Sequence, residues 1–160
     1  MTISDFTIQN SGNVYLHDAG IQICSNFGTF SSNIILKNRY GIYLYGSNGN
    51  TVIGNIISNN ADGVLLWGAS DTVVGNALSN NWYGIYLDDA CNNTIMKNNF
   101  YSNKQHAFFE NCINTWENNY WSRTRLFPKL IFGIIQIGSK WIPWLNIDWH
   151  PAKRPFDIGG

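Results

Sequence analysis

Two segments of the chain that lie 21 residues apart share seven of eleven residues: Asn50-Thr-Val-Ile-Gly-Asn-Ile-Ile-Ser-Asn-Asn and Asp71-Thr-Val-Val-Gly-Asn-Ala-Leu-Ser-Asn-Asn. The same spacing continues on both sides of this pair. A glycine, or a histidine in the last copy, precedes an apolar run at Gly20, Gly41, Gly63, Gly84 and His106, and these positions are 21 or 22 residues apart. The chain is therefore an internal repeat, which is the signature of an architecture built by stacking.

Asparagine occupies two fixed phases of this repeat. The first column is Asn33, Asn55, Asn76, Asn98 and Asn119. The second column follows five residues later, at Asn38, Asn60, Asn81 and Asn103. Asparagine accepts the left-handed backbone conformation and is typical of turns. Stacked amides also bond to the layers above and below them, so the two columns predict structural ladders at corners of the repeat.

Apolar residues alternate with other residues inside short segments, at four further phases. These columns are Ile21, Ile42, Val64, Ile85 and Ala107; Ile23, Leu44, Leu66, Leu87 and Phe109; Phe30, Val52, Val73, Ile95 and Trp116; and Ile35, Ile57, Leu78, Phe100 and Trp121. Alternation indicates strands, and no helical stripe extends beyond one turn. The consensus of a leucine-rich repeat is missing. The sequence therefore predicts an all-β, single-stranded parallel β-helix of about five rungs, with residues 1–121 forming the repeats.

The composition excludes several classes of function. The chain has 160 residues, enough for one domain with its own core. Ten basic residues balance ten acidic ones, and charged residues make up 12% of the chain, where about 25% is usual. Between Tyr40 and Met96 there is no Lys or Arg, so this stretch cannot neutralise nucleic-acid phosphates. We expect no nucleic-acid partner.

The composition changes after Tyr120. All four prolines, four of the seven tryptophans and six of the ten basic residues lie in the last forty positions. Because an open rung exposes apolar core and unpaired strand edges, residues 122–160 are interpreted as an aromatic-rich C-terminal cap. A membrane-interface belt of Trp and Lys is the alternative, supported by composition alone. The longest apolar run, residues 130–137, is too short for a transmembrane segment, and the first residues show no signal peptide.

The repeats at residues 50–60, 71–81 and 84–95 resemble the right-handed parallel β-helix repeats of the NosD-like family. The resemblance covers roughly residues 3–121. It implies a right-handed coil, membership of the wider carbohydrate-binding and sugar-hydrolase β-helix group, and an extracellular or cell-envelope location. The matching residues are core and corner positions, so the resemblance is specific for fold and weak for function.

Functional residues must lie at the outward positions of the glycine-led strand. These positions are aromatic in the middle of the repeat array: Tyr43, Tyr45, Trp67 and Tyr86. Rigid aromatic rings provide a platform for sugar rings and equally for a protein partner. They also stack on one another or lie beneath a loop without any ligand. Stacking without a ligand is the interpretation we favour, and contact with a glycan is the functional prediction for these positions, ahead of contact with a protein partner.

Three carboxylates form the second candidate site. Asp88 and Glu110 follow on adjacent rungs, and Asp89 is next to Asp88. A separation of ~5 Å between two carboxylates is the spacing of a retaining glycosidase, and the same group also suits Ca²⁺. Solvated surface carboxylates are the third interpretation and the one we favour.

The remaining candidates are weak, and we expect no cofactor. His17, His106 and His150 have no common spacing, which argues against a histidine metal site. The name NosD suggests copper, yet apart from the initiator Met96 is the only methionine. Cys91 and Cys112 lie one repeat apart, which allows either a disulfide or two stacked thiols. Asn92 heads the sequon Asn-Asn-Thr.

Three functions are compatible with the sequence. The leading prediction is a non-catalytic extracellular module, structural and glycan-binding through the aromatic positions. The second is a carbohydrate-active enzyme that uses Asp88 with Glu110. The third is a structural protein that associates end to end, because nothing near Ile3 to Ile8 resembles a segment that covers the first rung.

Overall fold

The chain forms a β-solenoid in which each repeat is one rung of three short strands. The computed structural model describes residues 1–12 and 18–159. The first three rungs contain β1 Thr2–Ser4, β2 Thr7–Gln9, β3 Ala19–Ile23, β4 Thr29–Ser31, β5 Ile34–Leu36, β6 Tyr40–Asn48, β7 Thr51–Ile53, β8 Ile56–Ser58 and β9 Asp62–Ala69. The later strands are β10 Thr72–Val74, β11 Ala77–Ser79, β12 Tyr83–Leu87, β13 Thr94–Met96, β14 Asn99–Tyr101, β15 Gln105–Phe109, β16 Thr115–Glu117, β17 Tyr120–Trp121, β18 Lys129–Ile137 and β19 Lys140–Asp148.

The strands assemble into three sheets that run along the solenoid. Sheet A has the order β1-β4-β7-β10-β13-β16-β19-β18, sheet B the order β17-β14-β11-β8-β5-β2 and sheet C the order β15-β12-β9-β6-β3. Neighbouring strands are parallel, except for the antiparallel pair β18 and β19. The predicted all-β fold with about five parallel rungs is confirmed. Among the described residues, no helix is long and apolar enough to cross a membrane.

The core is the interior of the coil. All four predicted apolar columns lie in one continuous buried cluster. Val52 pairs in register with Val73, and Val73 with Ile95, so each inward side chain contacts its equivalent one period away. Alternation on three-residue strands turns one apolar residue per strand inward, which explains why a chain with so few long apolar runs still buries a core.

From the second rung onward, each corner between sheets A and B consists of one left-handed residue followed by a ladder asparagine. Gly54 and Gly75 have φ near +66° and +62° at this position, and a Cβ added to either one meets nothing within 4 Å. Lys97 takes the same conformation with φ +54°, although L side chains rarely adopt it. The turn therefore depends on backbone conformation and on the asparagine that follows it.

Both predicted asparagine ladders are present and buried. In the first column, Nδ2 of Asn55 donates to Oδ1 of Asn76 at 2.9 Å, and the bonding continues from rung to rung as far as Asn119. The second column repeats this pattern, with Asn60 donating to Asn81 at 3.2 Å. The backbone N–H groups of Asn55 and Asn60 also donate to the amide oxygens of Asn76 and Asn81 in the next rung. The ladders thereby satisfy buried backbone groups at the corners.

A third ladder, which the sequence interpretation missed, stands at another corner. Its members are Asn50, Asp71, Asn93, Asn114 and Asn146. Its first four members keep the 21- and 22-residue spacing, so the repeat carried a signal for it. The signal was incomplete because a carboxylate replaces the amide at the second position.

The glycine column of the sequence lies where a side chain would collide with the backbone of the next rung. A Cβ placed on Gly63 would lie 2.5 Å from the carbonyl oxygen of Gly84 in the next rung. Gly41 meets the oxygen of Gly63 in the same way, at 2.4 Å. These positions exclude every side chain for a steric reason, since backbone oxygen atoms of a paired strand cannot move aside.

The tail closes the solenoid with a β-hairpin. The sequence predicted a cap here but did not predict its secondary structure. Strands β18 and β19 join sheet A beside β16. Asn146 accepts from the backbone of Asn114, and Oδ2 of Asp148 accepts from Nδ2 of Asn119 and Nε1 of Trp121. Two residues of β19 therefore terminate two of the three ladders, and they attach the cap to the last rung.

A disulfide joins Cys91 to Cys112 across adjacent rungs, with Cα atoms 4.9 Å apart. The 21-residue separation equals one period. The alternative of two free thiols is thereby excluded for this structure. Cys24 is free and exposed. Structural disulfides persist in oxidising compartments, which agrees with an envelope location.

Candidate functional site: the outward side of sheet C

The outward side of sheet C is less exposed than alternation suggested. Tyr43 is 2% exposed and Leu65 is 6% exposed. They form a second apolar cluster with Tyr40, against which Tyr86 is packed. The prediction that Tyr43 offers an open ring face is therefore wrong, because outward side chains on neighbouring rungs are large enough to bury one another. Truncation of Leu65 is accordingly expected to cost more than that of a solvated surface leucine.

Tyr45 and Trp67 form the exposed part of this surface. They are 40% and 41% exposed, and their rings meet edge to face with centroids 4.6 Å apart. Both line a shallow hollow of about 440 Å³ that reaches Asp89. We call Tyr45 and Trp67 the aromatic pair. The pair occupies equivalent positions on adjacent strands, β6 and β9, in register.

Tyr86 lies on β12, one rung beyond the strands that carry the aromatic pair. Its hydroxyl donates to Oε1 of Glu110 at 2.6 Å. Burial, and then the hydrogen bond to Glu110, raise the pKa of Tyr86 above its usual range. The ring also contacts Tyr83 and Phe108, with centroids 5.4 and 5.8 Å away. The tyrosine is therefore fixed in position and keeps its proton.

A larger groove of about 1100 Å³ runs along the corner between sheets B and C. Its lining includes Trp82, Tyr83, Tyr86, Arg39 and Lys104. We call it the corner groove. Its lining extends from Gly12 in the first rung to Lys104 in the fifth, a distance of ~19 Å at the ~4.8 Å spacing of strands. Tyr86 was predicted for the site, whereas the other four were not.

Trp82 is the most accessible ring of the corner groove, with 54% of its surface exposed. Nζ of Lys104 lies 3.1 Å from the centroid of this ring. A cation at this distance is attracted to the electron-rich face of an indole and restrains it. The ring directly follows ladder residue Asn81, so it sits at a corner and not on a strand. Strand alternation could not reveal it for this reason.

Asp62 is the one carboxylate among the described residues that line the corner groove. Burial raises the pKa of Asp62 to about 6, against the opposing effect of the nearby Arg39. At neutral pH the carboxylate is mostly ionised, and in mildly acidic solution it becomes a hydrogen-bond donor. The groove thus combines flat apolar rings, amide groups of corner asparagines and both signs of charge.

The three carboxylates predicted as a second site lie at the end of the same sheet. Burial, Glu110 and Asp89 all raise the pKa of Asp88, in that order of effect. Glu110 accepts from Tyr86, and Asp89 accepts from Nδ2 of Asn111. Within residues 1–12 and 18–159, no three His, Cys, Asp or Glu side chains form a group that could hold a metal ion. The calcium alternative for Asp88, Asp89 and Glu110 stays a prediction.

Two of the three histidines, His106 and His150, lie within the described residues. His106 is partly buried and contacts Oγ of Ser122 through Nε2 at 3.0 Å. Burial, followed by Lys129 and Arg125, lowers the pKa of His106 to about 4. His150 lies in the tail, and His17 falls outside the described residues. His106 is neutral at physiological pH and has a structural role.

Residues 1–131 match the family described as "Periplasmic copper-binding protein (NosD)". The chain belongs to the NosD family. The match covers the repeats together with the beginning of β18, so it reaches slightly further than the resemblance found from the sequence. Comparison with curated proteins and with solved structures finds no match.

Proposed function

We propose that this NosD family chain is a non-catalytic module of the cell envelope that binds a polysaccharide along the outward side of sheet C. The observation that carries the proposal is the corner groove, in which Trp82, Tyr83 and Tyr86 line a channel about 1100 Å³ in volume. Sugar rings have apolar faces and hydroxyl edges, and such a ligand suits aromatic rings flanked by amides and charged groups. The length of the groove favours a chain molecule.

The aromatic pair extends this surface on the same sheet. Tyr45 and Trp67 belong to the second and third rungs, and the corner groove covers the same rungs at their edge. Because the rungs are held by ladders and by a disulfide, these rings are placed before any ligand arrives. Preorganised contacts of this kind cost little ordering entropy on binding.

The geometry favours binding over hydrolysis. A glycosidase needs two carboxyl groups on either side of the bond that is cleaved, and the described lining of the corner groove contains Asp62 alone. Asp88 and Glu110 remain the residues of the enzyme alternative. Glu110 is engaged with Tyr86, which leaves Asp88 as the carboxyl to test.

The family description names copper, and the described residues do not fit that metal. Copper in proteins is bound by Cys, Met and His side chains. Of the cysteines, two form the disulfide. His106 is hydrogen-bonded to Ser122, and the described residues contain no three-ligand group of His, Cys, Asp or Glu. Copper therefore has no part in the proposed function.

A glycan array probed with the purified chain tests the proposal, followed by calorimetric titration with the glycan that binds best. We expect Trp67→Ala and Trp82→Ala each to weaken binding by more than ~1 kcal/mol, the threshold for a contact residue that matters. Trp141→Ala, which removes an exposed tryptophan of the cap, serves as the matched control and leaves binding unchanged. Asp88→Asn also leaves binding unchanged.

Two results would overturn the proposal. One is the absence of saturable binding to any envelope or plant polysaccharide on the array. The other is release of reducing or unsaturated sugars that Asp88→Asn abolishes, which would establish the enzyme alternative instead.

End-to-end association is a separate proposal that rests on the first rung. Strands β1, β2 and β3 are the terminal strands of their sheets, and one edge of each has no partner strand among the described residues. Parallel edges of this kind accept further strands. Light scattering over a range of protein concentrations tests it, and a monomer at every concentration contradicts it.

A further inference from the structure

The hairpin of the cap carries an apolar face that nothing in the described chain covers. Leu130, Phe132, Trp141 and Leu145 are 41%, 57%, 49% and 41% exposed. Phe132 pairs with Leu145, and Gln136 pairs with Trp141. Because side chains alternate along each strand, the four exposed residues lie on one side of the hairpin. We call this side the outer face.

The opposite side of the hairpin faces the solenoid near Ile131 and Asn146, whereas Ile137, Ile142 and Trp144 on this side are 58%, 38% and 44% exposed. Ile131 and Asn146 are a register pair, and both are buried. Gly133 also lies on this side, where a Cβ would come within 2.3 Å of the carbonyl oxygen of Phe109. The hairpin therefore has a fixed orientation, and the outer face points away from the core.

The free edges of the hairpin are poorly suited to accept another strand. The backbone N–H of Asn111 donates to the carbonyl of Ile134 at 2.7 Å, which occupies part of the edge of β18. Pro143 stands in β19 and removes a backbone donor from that strand. Contact through the outer face is therefore more favourable than strand addition.

The charge around this hairpin is one-sided. Between Trp121 and Asp148 there are four basic residues, Arg123, Arg125, Lys129 and Lys140, and no acidic residue. Residues 122–160 contain six basic and two acidic residues, a net charge of +4, whereas residues 1–121 contain four basic and eight acidic residues, a net charge of −4. The chain is neutral overall, and its positive charge is concentrated after residue 121.

The basic residues at the base of the hairpin lie close to one another. Burial, then Arg125 and Arg123, lower the pKa of Lys129. Arg123 similarly lowers the pKa of Arg125, after burial. Positive charges that repel one another gain from a negatively charged surface opposite them.

We propose that the outer face of the hairpin binds the surface of an anionic phospholipid bilayer. Tryptophan prefers the boundary between headgroups and acyl chains, where its ring is apolar and its N–H is hydrated. Lys140, at the turn of the hairpin, and Arg123 with Arg125, before its first strand, supply the cations for the anionic headgroups. The proposal is independent of glycan binding.

Flotation with lipid vesicles tests the proposal on the full chain. Vesicles of phosphatidylcholine and phosphatidylglycerol in equal parts are compared with vesicles of phosphatidylcholine alone. We expect binding to the anionic vesicles with a blue shift of tryptophan fluorescence, and at least tenfold weaker binding to the neutral ones. Binding to the anionic vesicles weakens as salt is added, because screening shortens the range of the charge attraction.

Three variants locate the contact. The double variant Phe132→Ser with Trp141→Ser binds at least tenfold more weakly, and Lys140→Gln binds about fivefold more weakly, the effect of one cation near such a surface. Trp82→Ser removes an exposed tryptophan of the corner groove and binds like the wild type. Both exposed positions of the double variant tolerate serine without loss of core packing, and an unchanged denaturation midpoint verifies this.

The proposal is overturned if the chain binds neither type of vesicle, if it binds both equally, or if the double variant retains full binding. A dimer of the wild-type chain that the double variant abolishes, without vesicle binding, assigns the outer face to a second copy and also overturns the proposal.

Discussion

Replacement of Asp71 by asparagine is expected to stabilise the protein, because Asp71 is the one carboxylate in a ladder of amides. Its Oδ1 accepts from the backbone N–H and from Nδ2 of Asn50, at 2.7 and 3.1 Å. Its Oδ2 is buried and has no hydrogen-bond partner. In the first ladder the equivalent atom is an NH₂ group that donates to the next rung, as Asn55 does to Asn76. Asp71→Asn supplies this missing donor.

The magnitude follows from the number of groups that change. An unsatisfied buried polar atom costs about 1–3 kcal/mol, and a new hydrogen bond contributes about 0.5–1.5 kcal/mol. Oδ1 keeps both of its present bonds in either residue. We therefore expect Asp71→Asn to raise the free energy of unfolding by about 1–3 kcal/mol at neutral pH.

The gain should depend on pH in a defined direction. Burial raises the pKa of Asp71, and the hydrogen bonds from Asn50 oppose this in part. A carboxyl group whose pKa is raised on folding binds its proton more tightly in the folded state. Its contribution is then most favourable below the unfolded pKa of about 3.9, and stability is lost as the pH rises through the folded pKa. The advantage of asparagine is therefore largest at neutral pH and shrinks towards about pH 4.

Urea denaturation followed by circular dichroism, at neutral pH and near pH 4, measures both effects. The matched control is Asn93→Asp, which adds a second carboxylate to the same ladder and should lower stability at neutral pH. If Asp71→Asn lowers the stability at neutral pH, or if its gain is the same at both pH values, the carboxylate is not the source of the effect.

Three further predictions concern the rungs, the disulfide and the cap. Gly63→Ala should lower the free energy of unfolding by about 1–3 kcal/mol or more, because the added Cβ collides with the next rung. Gly75→Ala, at a position where the Cβ meets free space, should cost only about 1 kcal/mol. The urea midpoints of the two variants check this prediction, and equal losses contradict it. Replacement of Cys91 and Cys112 by serine should cost about 3 kcal/mol, and dithiothreitol should lower the wild-type melting temperature but leave that of the double variant unchanged. Asp148→Ala should leave the buried donors of Asn119 and Trp121 unpaired, at a cost of about 1–3 kcal/mol each. Limited proteolysis of this variant should therefore release the tail before it cuts the repeats. Digestion of both parts at the same time would refute the role of Asp148 in attaching the cap.

The aromatic residues show most clearly where pattern reasoning stops. Tyr43 and Tyr45 both occupy outward positions of one strand, as predicted, yet the first is buried and the second exposed. Exposure of an outward ring depends on the size of neighbours on other rungs and on whether they fold over it. Trp82 was missed for a related reason, since corner residues follow no period-two alternation and their direction is set by the turn.

The strands, their register, the core columns and two of the ladders follow from the amino-acid sequence alone. In a solenoid every rung contacts mainly the rungs one period away, so the spacing of 21 or 22 residues already names the contacting pairs, as Val52 and Val73 illustrate. Features that join residues outside this period emerge only from the three-dimensional arrangement. The corner groove collects side chains from several rungs at a turn, and the hairpin lies beyond the last repeat. Asp148 terminates a ladder 29 residues after Asn119. This separation differs from the 21- or 22-residue period because the cap that covers the last rung is not itself a repeat.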